Sequence, residues 1–295
     1  MLSDAGFDLV CNETGRKPTP EEHAAMVENA FGVIAGTERY DDKLLQRAKA
    51  LRVIVRFGVG LDNFDMEAIR RRGIRVGVIA NYNAVAEYAL TLMLALLKNL
   101  PRYDGEVRRG LWPRFPMGEL TGKTVGIVGF GRIGRRLAEL LRGFGVTLLV
   151  YDPFVSPETA ASLGGEAVTL DVLLERSDVV SLHLPATAET FHLIGRETIG
   201  KMKEGALLVN TARGSLVDEE ALCAALRENR LGGAALDVFE TEPAGKDHPL
   251  CALPNVVLSP HAAASTVETN RNGSLTCARS ILQVWQGGDP VYPVI

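Results

Sequence analysis

The sequence predicts an α/β protein built on a doubly wound parallel sheet, with a second and smaller α/β domain. Three observations predict it. Short apolar runs alternate with helical patterns along the chain, the arrangement that buries a parallel sheet between two layers of helices. One of these runs passes through a glycine-spaced turn directly into a helix. The length of 295 residues exceeds the roughly 100–200 of one domain, so two are expected.

In chain order, the apolar runs place strands at residues 8–11, 32–35, 53–55, 124–128, 147–151, 179–182, 206–210, 233–236 and 256–258. Helices fill the gaps. After the strand at 124–128, Ile133, Leu137, Leu140, Leu141 and Phe144 recur at spacings of 4, 3, 1 and 3, an apolar stripe of helical period. Two long apolar helices, at about 83–100 and about 266–286, read as crossovers between domains, and a loop rich in Pro, Gly and Arg is expected at 101–118. Residues 82–262 are therefore assigned to one domain, and residues 1–81 with 263–295 to the other.

Composition narrows the function. With 46% hydrophobic and 23% charged residues, 30 Gly and 14 Pro, the chain is ordinary globular material and not a disordered, collagen-like or disulfide-scaffold protein. The formal charge of −4 offers nucleic acid or anionic lipid no general attraction, so neither is expected as a partner. The run Arg70-Arg71-Arg72 reads as the solvated end of a helix. Cys11, Cys223, Cys251 and Cys277 lack ligand spacing, so no metal is expected, and they fit a reducing cytoplasm. The first residues show no export signal, and the most apolar stretch, 89–97, has half the length needed to span a bilayer.

The chemistry sits in four places. Gly129-Phe130-Gly131-Arg132-Ile133-Gly134 follows a strand and opens the striped helix. The first glycine permits the tight turn, the second lets backbone N–H groups approach a pyrophosphate, and the third allows close helix–strand packing. Asp152, 18 residues past Gly134 at the end of the next strand, is placed to accept hydrogen bonds from an adenosine ribose and to repel a 2′-phosphate, favouring NAD over NADP. A purely structural turn or a methyltransferase-type nucleotide site fits the same glycines. Arg213, Glu242 and His261 each lie beyond the C-terminal end of a later strand, where open α/β sheets place ligands. Singly, each also fits a plain solvated or structural role. Together they suit reduction of a 2-oxo acid, which needs a cation for the carboxylate and keto oxygen, a proton donor, and a carboxylate to orient that donor. Hydride must come from a nicotinamide, because no side chain can donate one.

The segments 122–134, Asn210-Thr211-Ala212-Arg213-Gly214, 234–239 and Pro260-His261 resemble the D-isomer-specific 2-hydroxyacid dehydrogenases, most nearly their D-3-phosphoglycerate dehydrogenase branch. The resemblance implies a Rossmann-type nucleotide domain and a smaller flavodoxin-like substrate domain lacking its first strand. It implies that Arg213 binds and polarises substrate, and that Glu242 pairs with His261 as acid/base. Thr211, Ala212 and Asp237 would line the nicotinamide side. The run 56–63 is similar to the family's substrate loop, in which N–H groups near Gly58 and Val59 take the carboxylate, and Asn81 matches its substrate-contacting asparagine. Arg56 would face a substrate phosphate, or else pack the sheet edge.

Two departures stand out. Residues 76–81 read as two residues shorter than the family's loop, and Ala263 stands where many members have glycine. No C-terminal regulatory domain is expected after the last helix. The implied substrate is 3-phosphoglycerate, with glyoxylate or hydroxypyruvate reduction as the alternative within the class and an NAD-sensing, corepressor-type interaction protein as the alternative outside it. The resemblance further implies a homodimer, and Trp112 and Phe115 fit either an aromatic interface anchor or local packing.

Overall fold

The computed structural model describes residues 1–294. Its strands are β1 (Gly32–Ala35), β2 (Val53–Arg56), β3 (Arg75–Val78), β4 (Thr124–Val128), β5 (Thr147–Tyr151), β6 (Gly165–Ala167), β7 (Val179–Leu182), β8 (Leu207–Asn210), β9 (Gly233–Leu236) and β10 (Val256–Leu258). The α-helices are α1 (Pro20–Val27), α2 (Asp42–Arg47), α3 (Met66–Arg71), α4 (Tyr82–Leu97), α5 (Leu100–Arg108), α6 (Arg132–Leu141), α7 (Pro157–Ser162), α8 (Leu170–Arg176), α9 (Arg196–Lys201), α10 (Glu219–Arg227) and α11 (Val267–Trp285). The chain divides into two compact units, Tyr82–Ala264 and the remainder, formed from Met1–Asn81 and the chain from Ser265 onward.

The larger unit holds a seven-stranded sheet in the order β10-β9-β8-β7-β4-β5-β6, every pair parallel. The chain starts in β4, winds outward through β5 and β6, then returns to β7 and winds the other way. This reversal leaves a crevice beyond the carboxyl ends of β4 and β7, the position where such sheets bind ligands. Because strand side chains alternate, one strand feeds two cores: Leu148 and Val150 pack with α4 and α6, and Leu149 packs with α8 and α10. Both faces are therefore apolar. Gly126 sits where a Cβ would overlap Leu173 and Ser177, so α8 lies directly on β4.

The smaller unit holds a parallel sheet in the order β1-β2-β3. One face packs on α1, α2 and α3 through Val27, Leu45, Ile54, Ile69 and Val76. The other packs on α11, where Cys277 and Ile281 meet Val53, Val55 and Ile79. Beyond β3 the C-terminal tail bonds to the sheet edge: Val78 N–H donates to the Tyr292 carbonyl, and Val294 N–H to that of Val76. Trp285, at the end of α11, stands edge-on to Phe7 and Phe31.

Four expectations need correction. Residues 8–11 form no strand; Leu9 and Val10 are exposed, and the local apolar pattern is not enough where no neighbouring strand supplies the ladder. Residues 75–78, read as part of a loop, are β3, and 165–167 are β6. Both carry a glycine at a close approach: a Cβ on Gly77 would stand 2.7 Å from Pro290 and one on Gly165 2.8 Å from Val150. The expected loop at 101–118 is helical in its first half, because Pro101 falls in the first turn of α5, where its missing N–H costs nothing. The run Arg70-Arg71-Arg72 does close a helix, with Arg71 and Arg72 both paired to Asp42.

Candidate active site

The glycine turn is built as its spacing requires. Gly129 has φ +96, and a Cβ there would come within 2.7 Å of the His183 backbone at the end of β7. Only glycine lets the turn cross the crevice this closely. A Cβ on Gly134 would overlap the Gly129 carbonyl, so the third glycine seats α6 against the turn. Gly131 differs: a Cβ there would meet nothing within 4 Å. Gly131 is also the N-cap of α6, and no side chain caps that helix or places an acid in its first turn. Open space in front of uncapped N–H groups, with Arg132 and Ile133 as the first helical residues, fits an approaching pyrophosphate. Asp152 follows β5 and accepts the Phe130 N–H at 2.7 Å and the Phe154 N–H at 2.9 Å. A dinucleotide therefore fits the residues present.

His183 closes the other side of the turn. Its Nε2 lies 2.9 Å from Ser181 Oγ, and its buried Nδ1 has no hydrogen-bond partner. Burial pushes its pKa down to about 4, so the ring is neutral.

Three loops at the carboxyl end of the same sheet carry the remaining groups. After β8, the buried Asn210 side chain ties its own turn, donating to the Arg213 carbonyl at 2.8 Å and accepting the Ala212 N–H at 3.0 Å. The Arg213 guanidinium donates to the Ala212 carbonyl at 2.6 Å. Thr211 is 7% exposed, and its Oγ1 is buried without a partner. Gly214 sits where any Cβ would overlap the Phe239 carbonyl group, so the Arg213 loop lies against the loop that carries Glu242.

Glu242 accepts the Phe239 N–H through Oε1 at 3.1 Å and the His261 Nδ1–H through Oε2 at 2.7 Å. An ionised carboxylate can only accept, so the proton lies on Nδ1 and Nε2 is the ring nitrogen that Glu242 leaves unengaged. His261 is held in the left-handed region at φ +53. Asp237 holds it there: its carbonyl accepts the His261 N–H at 2.7 Å, and its fully buried carboxylate accepts Ser259 Oγ at 2.6 Å, Ala262 N–H at 2.8 Å and Ala263 N–H at 2.9 Å. The sequence pointed to Asp237 as a cofactor-lining residue; the structure gives it the work of fixing the histidine loop.

In the smaller unit, Arg56 turns back on its own loop. Its guanidinium donates to the carbonyls of Gly60 at 3.1 Å, Phe57 at 2.9 Å and Ala35 at 3.4 Å. A Cβ on Gly58 would press on that guanidinium at 3.1 Å, and Val59 is exposed. Asn81 is 6% exposed, with its Oδ1 buried and without a partner. The two expected interface aromatics divide: Phe115 packs locally under Arg102, 3.5 Å from the ring centroid, and against Tyr103, whereas Trp112 is 80% exposed. Among the described residues no cluster of His, Cys, Asp and Glu is placed to hold a metal ion, and no single helix is long and apolar enough to cross a membrane.

Comparison with known proteins follows the same lines. The family profile described as "D-isomer specific 2-hydroxyacid dehydrogenase, NAD binding domain" matches residues 90–263. A D-3-phosphoglycerate dehydrogenase from Archaeoglobus fulgidus is 43% identical over 259 residues, 86% of this chain and 49% of the relative. The chain thus spans about half the length of the curated phosphoglycerate dehydrogenases it matches. A glyoxylate reductase from Aeropyrum pernix is 43% identical over 267 residues, 86% of this chain and 79% of the relative. The crystal structure of a protein from Thermus thermophilus superposes with a TM-score of 0.89 at 39% identity, covering 95% of this chain and 91% of that one.

Proposed function

Because the chain belongs to the D-isomer-specific 2-hydroxyacid dehydrogenase family, we propose that it interconverts a 2-hydroxy acid and its 2-oxo acid with NAD(H), 3-phosphoglycerate being the first-choice substrate. The observation that carries this reading is the 2.7 Å pair of Glu242 and His261 at the same sheet end as the glycine turn. Gly129, Gly131, Arg132, Ile133, Gly134 and Asp152 would hold the dinucleotide, with Thr211 and Ala212 toward its nicotinamide. When bound, that ring supplies or accepts the hydride. His261 Nε2 would give a proton to the keto oxygen during reduction and take it back during oxidation. Glu242 keeps the imidazole oriented. Arg213 would bind the carboxylate and polarise the keto oxygen with its planar fork. Gly58 and Val59 would offer N–H groups to the carboxylate, and Asn81 a side-chain contact.

A second reading, reduction of glyoxylate or hydroxypyruvate, is favoured by Arg56, whose guanidinium donates to three backbone carbonyls. A phosphate ligand would have to compete with those bonds. Measuring NADH consumption against phosphohydroxypyruvate, hydroxypyruvate and glyoxylate tests both. Preference for phosphohydroxypyruvate supports the first reading, preference for glyoxylate the second, and dinucleotide binding without turnover would overturn both in favour of a sensing role. We further propose a homodimer, supported by Leu111, Trp112 and Met117, which are exposed on one loop. Light scattering during gel filtration tests it, and a monomeric mass would sink it.

A further inference from the structure

Beyond the residues that would touch substrate, a second set of carboxylates and histidines fastens the loop that carries Glu242. Glu240 and Glu219 exchange backbone bonds: the Glu219 N–H donates to Glu240 Oε1 at 3.1 Å, and the Glu240 N–H donates to Glu219 Oε1 at 3.0 Å. Each carboxylate also meets one histidine. His192 Nε2 lies 3.1 Å from Glu240 Oε1, and His248 Nε2 lies 3.0 Å from Glu219 Oε2. Because His248 Nδ1 accepts the Leu250 N–H, its neutral ring carries the proton on Nε2 and donates to Glu219.

These bonds gather three separate parts of the chain around one short loop. Glu219 opens α10, so Glu240 also places a negative charge at that helix's N-terminus. His192 comes from the segment after β7, and its own N–H is fixed to the Ser215 carbonyl at 2.8 Å. Gly214 presses the Arg213 loop on the Phe239–Glu240 peptide with no room for a Cβ. Two residues further on, Glu242 must reach His261.

We propose that Glu240 is a positioning residue: clamped by His192 and by the start of α10, it sets loop 237–242 so that Glu242 stays within hydrogen-bond reach of His261. The proposal rests on the reading of Glu242 and His261 as the acid/base pair. The Phe239 N–H adds no tie to these neighbours, since it is given to Glu242 itself.

The variants are Glu240→Ala, which removes both acceptor oxygens, and Glu240→Gln, whose amide oxygen still accepts from Glu219 and His192. Glu240→Ala should lower kcat by about 10²-fold, the scale of a small misplacement of a reacting group, with NADH affinity unchanged. Glu240→Gln should recover most of the rate. Added to Glu242→Ala, the Glu240→Ala change should cost almost nothing more, because it acts through a contact already lost. A merely structural Glu240 would give additive losses. Should Glu240→Ala fail to fold, His192→Ala removes one donor to Glu240 and carries the same comparison. Independently of turnover, the ¹⁵N resonances of the His261 ring should move in Glu240→Ala toward their positions in Glu242→Ala. If the parent reduces no 2-oxo acid while those resonances move, the proposed function falls and the positioning role stands. Unmoved resonances, or additive losses in kcat, would overturn it.

Discussion

The Asp152 carboxylate accepts the Phe130 backbone N–H at 2.7 Å, so the acid proposed to read the ribose also braces the glycine turn. Asp152→Ala should therefore do two things at once. NAD should bind more weakly, with the NAD-to-NADP preference reduced, and the fold should lose about 1.5–3 kcal/mol as the Phe130 and Phe154 N–H groups lose a charged acceptor. Titration with both cofactors and a urea melt separate the effects. An unchanged preference would remove Asp152 from the ribose.

Two glycines of one turn should respond oppositely to the same substitution. Gly131→Ala meets nothing within 4 Å, so its melting temperature should stay at the parent's value while dinucleotide affinity falls, the methyl standing where backbone N–H groups face the pyrophosphate. Gly134→Ala would overlap the Gly129 carbonyl and should destabilise by about 1–3 kcal/mol, the usual cost of overpacking. Calorimetry beside a binding isotherm reads both, and a Gly131→Ala variant that binds normally would contradict the assignment.

For the proposed acid/base pair, His261→Ala should lose about 10²–10⁴ in turnover while NADH still binds, since proton transfer is the role proposed for the ring. Arg213→Lys keeps the charge but loses the fork, and should lower kcat/KM sharply at constant NADH affinity. Steady-state rates with fluorescence titration of NADH test these together; an active Lys variant would discard the role of Arg213.

The neutral His183 gives the stability a pH dependence of known sign. Its pKa is lowered by burial from 6.5 to about 4, so between those values the unfolded chain binds a proton that the folded one refuses. Stability should fall as pH drops through that window, and level off for this group below about 4. Removing the ring in His183→Gln should flatten the profile by up to about 3 kcal/mol relative to the parent. Denaturant melts at pH 7, 5.5 and 4.5 decide it, with parallel parent and variant profiles counting against a buried neutral ring.

Local features were readable from the sequence, and long-range ones were not. The glycine turn, β4 and the stripe of α6 lie within 20 residues, so their pattern specifies their packing. Asn210 closes its own turn after a strand through equally local bonds, although the sequence reading did not single it out. The role of Asp237 was hidden because its partners Ser259, Ala262 and Ala263 lie more than 20 residues on. Glu240 was hidden for the same reason, meeting Glu219 and His192 only through the fold. β3 and β6 were missed because a glycine in so short a run reads as a breaker until Pro290 and Val150 are seen to occupy the space. Residues 8–11 show the opposite failure, a strand pattern without a neighbour.

The smaller unit is assembled from both sides of a long insertion: Val53, Val55 and Ile79 share a core with Cys277 and Ile281 of α11. On a ribosome adding about 5–20 residues per second, the intervening segment Tyr82–Ala264 takes roughly 10–40 s to emerge. Throughout that interval the apolar face of β2 has no helix to cover it, whereas the larger unit is contiguous and can close as soon as β10 is made. Biogenesis thus runs in reverse of chain order, the first-synthesised sheet being the last to be finished, and the nascent chain is exposed to aggregation or chaperone capture at its N-terminal third.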